Sequence, residues 1–84
     1  MKRDEFFSSL RTNCLGEFKD NEGNETVLYI DFNEETQRID IGTVCNFGII
    51  TELSVDYDSD FSLDENIQNI LEEVYNNGYT DFNE

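Results

Sequence analysis

The chain has 84 residues, of which 37% are hydrophobic, and it includes seven Phe and four Tyr. This length is enough for one domain over residues 1–84, and the aromatic content is too high for a typical disordered chain. Twenty Asp and Glu against five Lys and Arg give a formal net charge of −15. So negative a surface repels nucleic acid and anionic membranes, and direct binding to either is therefore not expected.

The cysteines and the apolar runs indicate where the protein resides. No apolar run reaches the length of about 18 residues that a transmembrane helix needs. The segment from Met1 to Glu5 contains two bases that no apolar run follows, so we expect no signal peptide and a cytoplasmic protein. Cys14 and Cys45 form no C-x-x-C pattern. They leave open either one disulfide or two buried thiols, and a cytoplasmic protein favours the thiols.

The first predicted element is a helix over residues 3–14. Its apolar residues fall on one face at helical spacing: Phe6, Phe7, Leu10 and Cys14. Asp4 and Glu5 suit the positive end of the helix dipole. Gly16 is expected to end the helix, because glycine adopts the left-handed cap conformation at little cost.

Four strands are predicted next, over residues 17–19, 26–32, 37–45 and 49–57. Alternate apolar residues in the second and fourth strands are expected to face the core: Leu28, Ile30 and Phe32, then Ile49, Leu53, Val55 and Tyr57. Thr51 interrupts the second of these stripes. The short connections predict an antiparallel meander with one face solvated or available for contact.

A second helix closes the chain. The run from Ser62 to Glu65 matches a capping box, and a stripe of apolar residues follows it: Leu63, Ile67, Ile70, Leu71 and Val74. Asn76, Asn77 and Gly78 are expected to end this helix, and the tail over residues 79–84 is expected to fray. The predicted fold is α+β, a two-layer structure with a four-stranded antiparallel meander sheet and one helix at each end of the chain (α-β-β-β-β-α).

Alternating carboxylates after the last strand match part of an EF-hand calcium loop. Asp56, Asp58, Asp60 and Asp64 occupy loop positions 1, 3, 5 and 9. Phe61 stands where that loop needs Gly for its sharp turn, and Ile67 stands where a bidentate Glu closes the shell. These departures favour a solvated strand end followed by a capped helix. Weak calcium binding by the four Asp is an alternative, and no other cofactor is expected.

The composition gives catalysis little support, and we expect the protein not to be an enzyme. The chain has no His, so it lacks the usual proton carrier at neutral pH. Cys14 has no visible general base, and a chain of this length leaves little room for a deep cleft.

The favoured interpretation is a protein-interaction domain that binds a basic protein, with a DNA-binding protein as the leading candidate. Residues 39–84 contain eleven acids and no base, whereas residues 1–38 contain nine acids and five bases. In charge and size only, the chain resembles the DNA-mimic inhibitors that phages and mobile elements direct against restriction, recombination or CRISPR enzymes. Nine acids are expected to form a row that contacts the partner: Asp40, Glu52, Asp56, Asp58, Asp60, Asp64, Glu65, Glu72 and Glu73.

Other interpretations stay open. The chain is also compatible with a structural or scaffold module whose charge serves only solubility, and with a small immunity protein that blocks a basic nuclease. Self-association as a homodimer would use an exposed edge strand or exposed aromatic residues, namely Phe47, Tyr79 and Phe82. A role of these aromatic residues in completing a thin core is favoured over self-association.

Overall fold

The computed structural model describes residues 1–10, 12–46 and 48–82, so Phe47 lies outside the described residues. It confirms the α+β class, the antiparallel sheet, the helix near each end and the two-layer arrangement. The elements in chain order are α1 (Arg3–Ser8), β1 (Cys14–Lys19), β2 (Glu25–Asn33), β3 (Arg38–Cys45), β4 (Gly48–Asp56), α2 (Leu63–Asn76) and β5 (Thr80–Asp81).

The sheet has the strand order β4-β3-β2-β1-β5, and each pair of neighbours is antiparallel. The four long strands form the predicted meander. The short β5 departs from the prediction, because it lies in the tail that was expected to fray. Thr80 pairs with Lys19 and Asp81 pairs with Phe18. These contacts give backbone groups on the outer side of β1 a partner, which explains why this part of the tail is ordered.

The core lies between the sheet and the two helices. Its buried apolar residues come from both helices and from β1, β2 and β3: Phe6, Phe18, Leu28, Ile30, Phe32, Ile39, Ile41, Ile70 and Val74. The ring of Phe6 in α1 stacks on that of Phe32 with a centroid distance of 4.9 Å and an interplanar angle of 14°. Tyr57 meets the same Phe32 ring edge-on at 5.6 Å. These aromatic contacts hold the short α1 against the sheet.

Helix α1 is shorter than predicted and ends at Ser8. The hydroxyls of Ser8 and Ser9 both donate to the carbonyl of Glu5 at 3.0 Å, and such bonds compete with continuation of a helix. Cys14, expected on the helix face, instead begins β1 and pairs with Tyr29. Helices this short are marginal alone, so the ladder with β2 decides the conformation here.

Gly16 does not end a helix either. It follows an irregularity in β1, where the register to β2 shifts between Cys14 and Gly16, and its φ is +150°. Glycine reaches this backbone conformation without the steric penalty that a side chain would add. The backbone at position 16 therefore does favour glycine, but the reason is a bulge in a strand and not the end of a helix.

A second bulge in β4 explains why Thr51 interrupts the apolar stripe. Leu53 pairs with Ile41 but Thr51 pairs with Gly42, so Glu52 is an extra residue without an opposite partner. Beyond the bulge the faces exchange, and Ile49 lies opposite Val44. The prediction that Ile49 continues the inward stripe is therefore wrong, because a bulge reverses the alternation of a strand.

Gly42 leaves room for this bulge. A Cβ atom at this position would stand 1.9 Å from the carbonyl oxygen of Ile50. We expect Gly42→Ala to lower the free energy of unfolding by about 1–3 kcal/mol, because the backbone of β4 must shift. Chemical denaturation measures this change. Thr51→Ala, at the exposed position opposite, should stay within about 0.5 kcal/mol, and equal losses in both variants would contradict the explanation.

Asn66 fixes the connection between β4 and α2. This residue is only 3% exposed, and its Oδ1 accepts a hydrogen bond from the amide of Asp58 at 3.0 Å. Its Nδ2 donates to the carbonyls of Asp58 and Ser62 at 2.9 and 3.0 Å. The side chain therefore satisfies the loop backbone from inside the helix.

We expect Asn66→Ala to lower the free energy of unfolding by about 1–3 kcal/mol, because the partly buried amide of Asp58 loses its acceptor. Asn69→Ala changes an exposed Asn one turn later on the same helix and should have almost no effect. Thermal and urea denaturation of both variants compare the two positions. A small loss for Asn66→Ala would show that water replaces the side chain.

Candidate functional site

The solvent-facing half of α2 carries four acids and no base. Ser62 caps the helix as predicted, since its Oγ accepts from the amide of Glu65 at 3.2 Å. At 3.6 residues per turn, Asp64, Glu65, Glu72 and Glu73 occupy about half of the helix circumference. All four side chains are exposed, while the buried residues of α2 lie on the other half.

The loop before α2 extends this charge. Asp58 and Asp60 are exposed, and Oδ1 of Asp58 accepts from the amide of Asp60 at 2.9 Å. Because the loop leads directly into the first turn of α2, its carboxylates adjoin those of the helix. We call the combined set the helix acidic surface: Asp58, Asp60, Asp64, Glu65, Glu72 and Glu73.

The predicted acids on the sheet lie elsewhere. Asp40 and Asp56 alternate with the buried residues of their strands, so they occupy the outer face of the sheet, which neither helix covers. Nη1 of Arg38 pairs with Oδ1 of Asp56, and its Nε donates to Oγ of Ser54 at 3.0 Å. Oγ of Ser54 in turn donates to Oδ1 of Asp40 at 2.9 Å. The guanidinium of Arg38 therefore contacts Asp56 directly and is linked to Asp40 through the hydroxyl of Ser54.

The single row of nine acids that the sequence predicts is thus divided. Six of the acids lie together in the helix acidic surface. Asp40 and Asp56 lie on the opposite side of the two-layer structure, beside Arg38. Glu52 is the exposed extra residue of the β4 bulge. The sequence analysis missed the grouping of Arg38, Ser54 and Asp56, because the cross-strand register that brings them together depends on the bulge.

The bases that form ion pairs lie on the sheet side. In the described part of the chain the ion pairs are Arg3 with Asp31 at 3.0 Å and Arg38 with Asp56. Arg3 also stands over the ring of Phe7, 4.7 Å from its centroid. Within the described residues, no ion pair involves an acid of the helix acidic surface. Among the residues that the structure describes, these acids therefore have no ion-pairing base.

The four Asp considered for calcium do not converge. Asp56 is engaged by Arg38, and Asp58 bonds the amide of Asp60 within the loop. Among residues 1–10, 12–46 and 48–82, no group of three or more His, Cys, Asp or Glu is placed to hold a metal ion. Asn66 organises this loop through hydrogen bonds to its backbone, which is the work that a calcium ion performs in an EF-hand.

One surface concavity lies apart from the helix acidic surface, and a second one borders it at Asp64. One of about 380 Å³ is lined by Glu17, Glu25, Thr26, Val27 and Phe82. Another of about 260 Å³ has apolar walls that include Leu10, Leu15, Ile30, Leu63 and Ile67. The two other aromatic residues considered for self-association, Tyr79 and Phe82, are half-buried, and Tyr79 packs against the core.

Cys14 and Cys45 are both half-buried and no disulfide joins them. Within the described chain, neither helix has the length and apolarity to cross a bilayer.

A scan against protein-family models, a search of curated proteins and a search of solved structures each found no match.

The pKa of the Tyr79 hydroxyl depends on its burial and on the charge of Glu52. Burial raises the pKa of the Tyr79 hydroxyl above its ordinary value of 10.0, and the charges of Glu52 and then Asp20 raise this pKa further. In contrast, hydrogen bonds from backbone amides of the β1–β2 turn lower the pKa of Asp20, and the bond from Asn24 has the largest effect.

The raised pKa of Tyr79 makes stability depend on pH. The folded chain keeps the Tyr79 proton to a higher pH than the unfolded chain, so the free energy of unfolding should fall as the pH rises above 10.0. Glu52→Gln removes one negative charge and should bring the pKa partway back, which reduces that loss. Titration of the tyrosine ¹³Cζ resonance measures the pKa. The control Glu35→Gln makes the same charge change. An equal shift of the Tyr79 pKa in that variant would show that the effect of Glu52 does not depend on its position.

Proposed function

We propose that this protein binds a basic, nucleic-acid-handling protein through the helix acidic surface and occupies the groove that would otherwise hold DNA. The observation that supports this is the separation of charge. Six exposed carboxylates lie on and beside one helix without a described ion pair, whereas the paired bases, Arg3 of α1 and Arg38 of β3, contact acids of the sheet. A protein whose charge served only solubility would not need this separation.

The helix charges extend along one axis, as the phosphates of a DNA strand do. Asp64 to Glu73 span a rise of about 13.5 Å, and the four acids form two adjacent pairs whose centres lie about 12 Å apart. One strand of duplex DNA carries about one phosphate per 3.4 Å of its axis, so it presents more charges over the same length. Asp58 and Asp60 extend the charge beyond the helix start. A basic groove that neutralises DNA phosphates therefore meets an extended but less dense row of negative charge here.

The rigidity of the surface favours this function as well. Asn66 anchors the loop that holds Asp58, and Ser62 caps the helix, so the carboxylates are held on backbone that is already ordered. A partner would not have to order this backbone on binding, which keeps the entropic cost low. Opposite charge would also accelerate the encounter, in a manner that salt reduces.

The role thus proposed is inhibition by charge mimicry, of the kind that DNA-mimic inhibitors of phages and mobile elements perform. Asp40 and Asp56 contribute less to it than the sequence implies, because Arg38 already compensates them. The helix acidic surface therefore carries the binding.

Charge reversal on α2 tests the proposal. We expect Glu72→Lys with Glu73→Lys to weaken binding roughly tenfold or more, because two repulsive charges replace two attractive ones. The matched control is Glu34→Lys with Glu35→Lys, which makes the same change at an exposed pair in the β2–β3 turn. Surface plasmon resonance against purified restriction, recombination and RNA-guided nucleases, at two salt concentrations, measures both variants.

Two results would contradict the proposal. Equal weakening by both double variants would show that net charge alone matters. Equal binding to lysozyme, a basic protein that handles no nucleic acid, would show that the surface does not select DNA-binding grooves. Displacement of the chain by duplex DNA is the expected result for a true mimic.

A further inference from the structure

The two edges of the sheet differ. On one side β5 pairs with Phe18 and Lys19 of β1. On the other side β4 is the last strand, with nine residues from Gly48 to Asp56. Within the described residues, the backbone of β4 forms hydrogen bonds with β3 and with no other strand. A long open edge of this kind offers unpaired N–H and C=O groups to another extended segment.

The pairing shows which groups of β4 are open. The amide of Tyr57 donates to the carbonyl of Gln37 at 3.0 Å. Hydrogen-bonded pairs alternate along an antiparallel ladder, so the backbone groups of Ser54 and Asp56 point away from β3. The carbonyl of Ser54 already accepts a hydrogen bond from Nη2 of Arg38 at 2.9 Å. A cationic donor therefore occupies this edge in the absence of any partner.

The side chains around the edge also define what fits there. Beyond the bulge, Ile50 and Val44 are 54% and 57% exposed, and the register places them on opposite faces of the sheet. An added strand would alternate its side chains between the same two faces and would neighbour Ile50, whereas Val44 lies one strand further from the edge. The strand itself carries Glu52 and Asp56 and no base. Each copy of the chain has a net charge of −15, so pairing of β4 with a second copy is opposed by repulsion.

We propose that the open edge of β4 receives an extended, basic segment of the partner protein as an additional strand. This inference rests on the proposed function and names how the same partner is held. Backbone hydrogen bonds to the edge supply affinity, and lysine or arginine side chains beside Glu52 supply selectivity, because Asp56 is already paired with Arg38. Glu52 has a double effect, because its charge at the bulge repels a second β4 and attracts a cationic strand.

Synthetic peptides separate backbone pairing from charge. The first is a blocked eight-residue peptide of alternating Lys and Val, and the second has the same sequence with every peptide nitrogen methylated. We expect the first to bind at least tenfold more tightly by fluorescence anisotropy. It should also slow hydrogen exchange of the Ser54 and Asp56 amides about tenfold or more, because they gain acceptors. A peptide of alternating Glu and Val should not bind.

A variant of the protein locates the contact. Glu52→Lys should weaken binding of the unmethylated peptide several-fold, whereas Glu34→Lys, with the same charge change in the β2–β3 turn, should change it little. Equal affinity of both Lys peptides, or no slower exchange in β4, would overturn the edge proposal while charge-driven binding stands. Failure of the nuclease experiment with a positive peptide result would overturn the proposed function alone. If these amides were protected at high protein concentration without peptide, the segment that adds to β4 would be a second copy of the chain and not a basic segment of a partner.

Discussion

The described core lies on a single side of the sheet, and this constraint organises the rest of the molecule. A chain of 84 residues has too little apolar material to cover both faces of a five-stranded sheet. The helices therefore cover one face, where Phe6, Ile70 and Val74 meet the inward residues of β1, β2 and β3. Apart from the turns, the loops and α1, charged side chains occupy the uncovered sheet face and the outward half of α2.

These two places differ in their electrostatics because the bases are not shared equally between them. Arg38 lies in β3 and is directed to the uncovered face by the strand alternation, where it serves Asp56 and, through Ser54, Asp40. Arg3 reaches Asp31 on β2. No residue of α2 is basic. The described ion pairs thus compensate part of the sheet charge and none of the charge of α2, and it is the helix that can attract a cationic surface at long range.

The bulge at Glu52 connects the packing of the sheet to the behaviour of its edge. Gly42 permits the close approach of the Ile50 carbonyl, and the extra residue reverses the faces beyond it. As a result, the end of the β3–β4 hairpin exposes apolar residues on both faces, while a carboxylate interrupts the open edge. A charged bulge on an edge strand opposes self-pairing. A charged residue in the bulge thus stands on the strand that forms one edge of the sheet.

The sequence by itself determined the class of fold, the meander, the capped helix α2 and the strongly negative charge of residues 39–84. These follow from patterns within single elements, such as the alternation of Leu28, Ile30 and Phe32 or the capping box at Ser62 and Glu65. Tertiary structure decided the early end of α1, the strand at Cys14, the ordering of β5 and the division of the nine acids into separate groups. Each of these depends on hydrogen bonds or cross-strand register between residues distant in the chain. A one-residue bulge reverses the face of every residue beyond it, and local alternation cannot reveal it because its cause, the close approach of Gly42 to Ile50, exists only after the strands have paired.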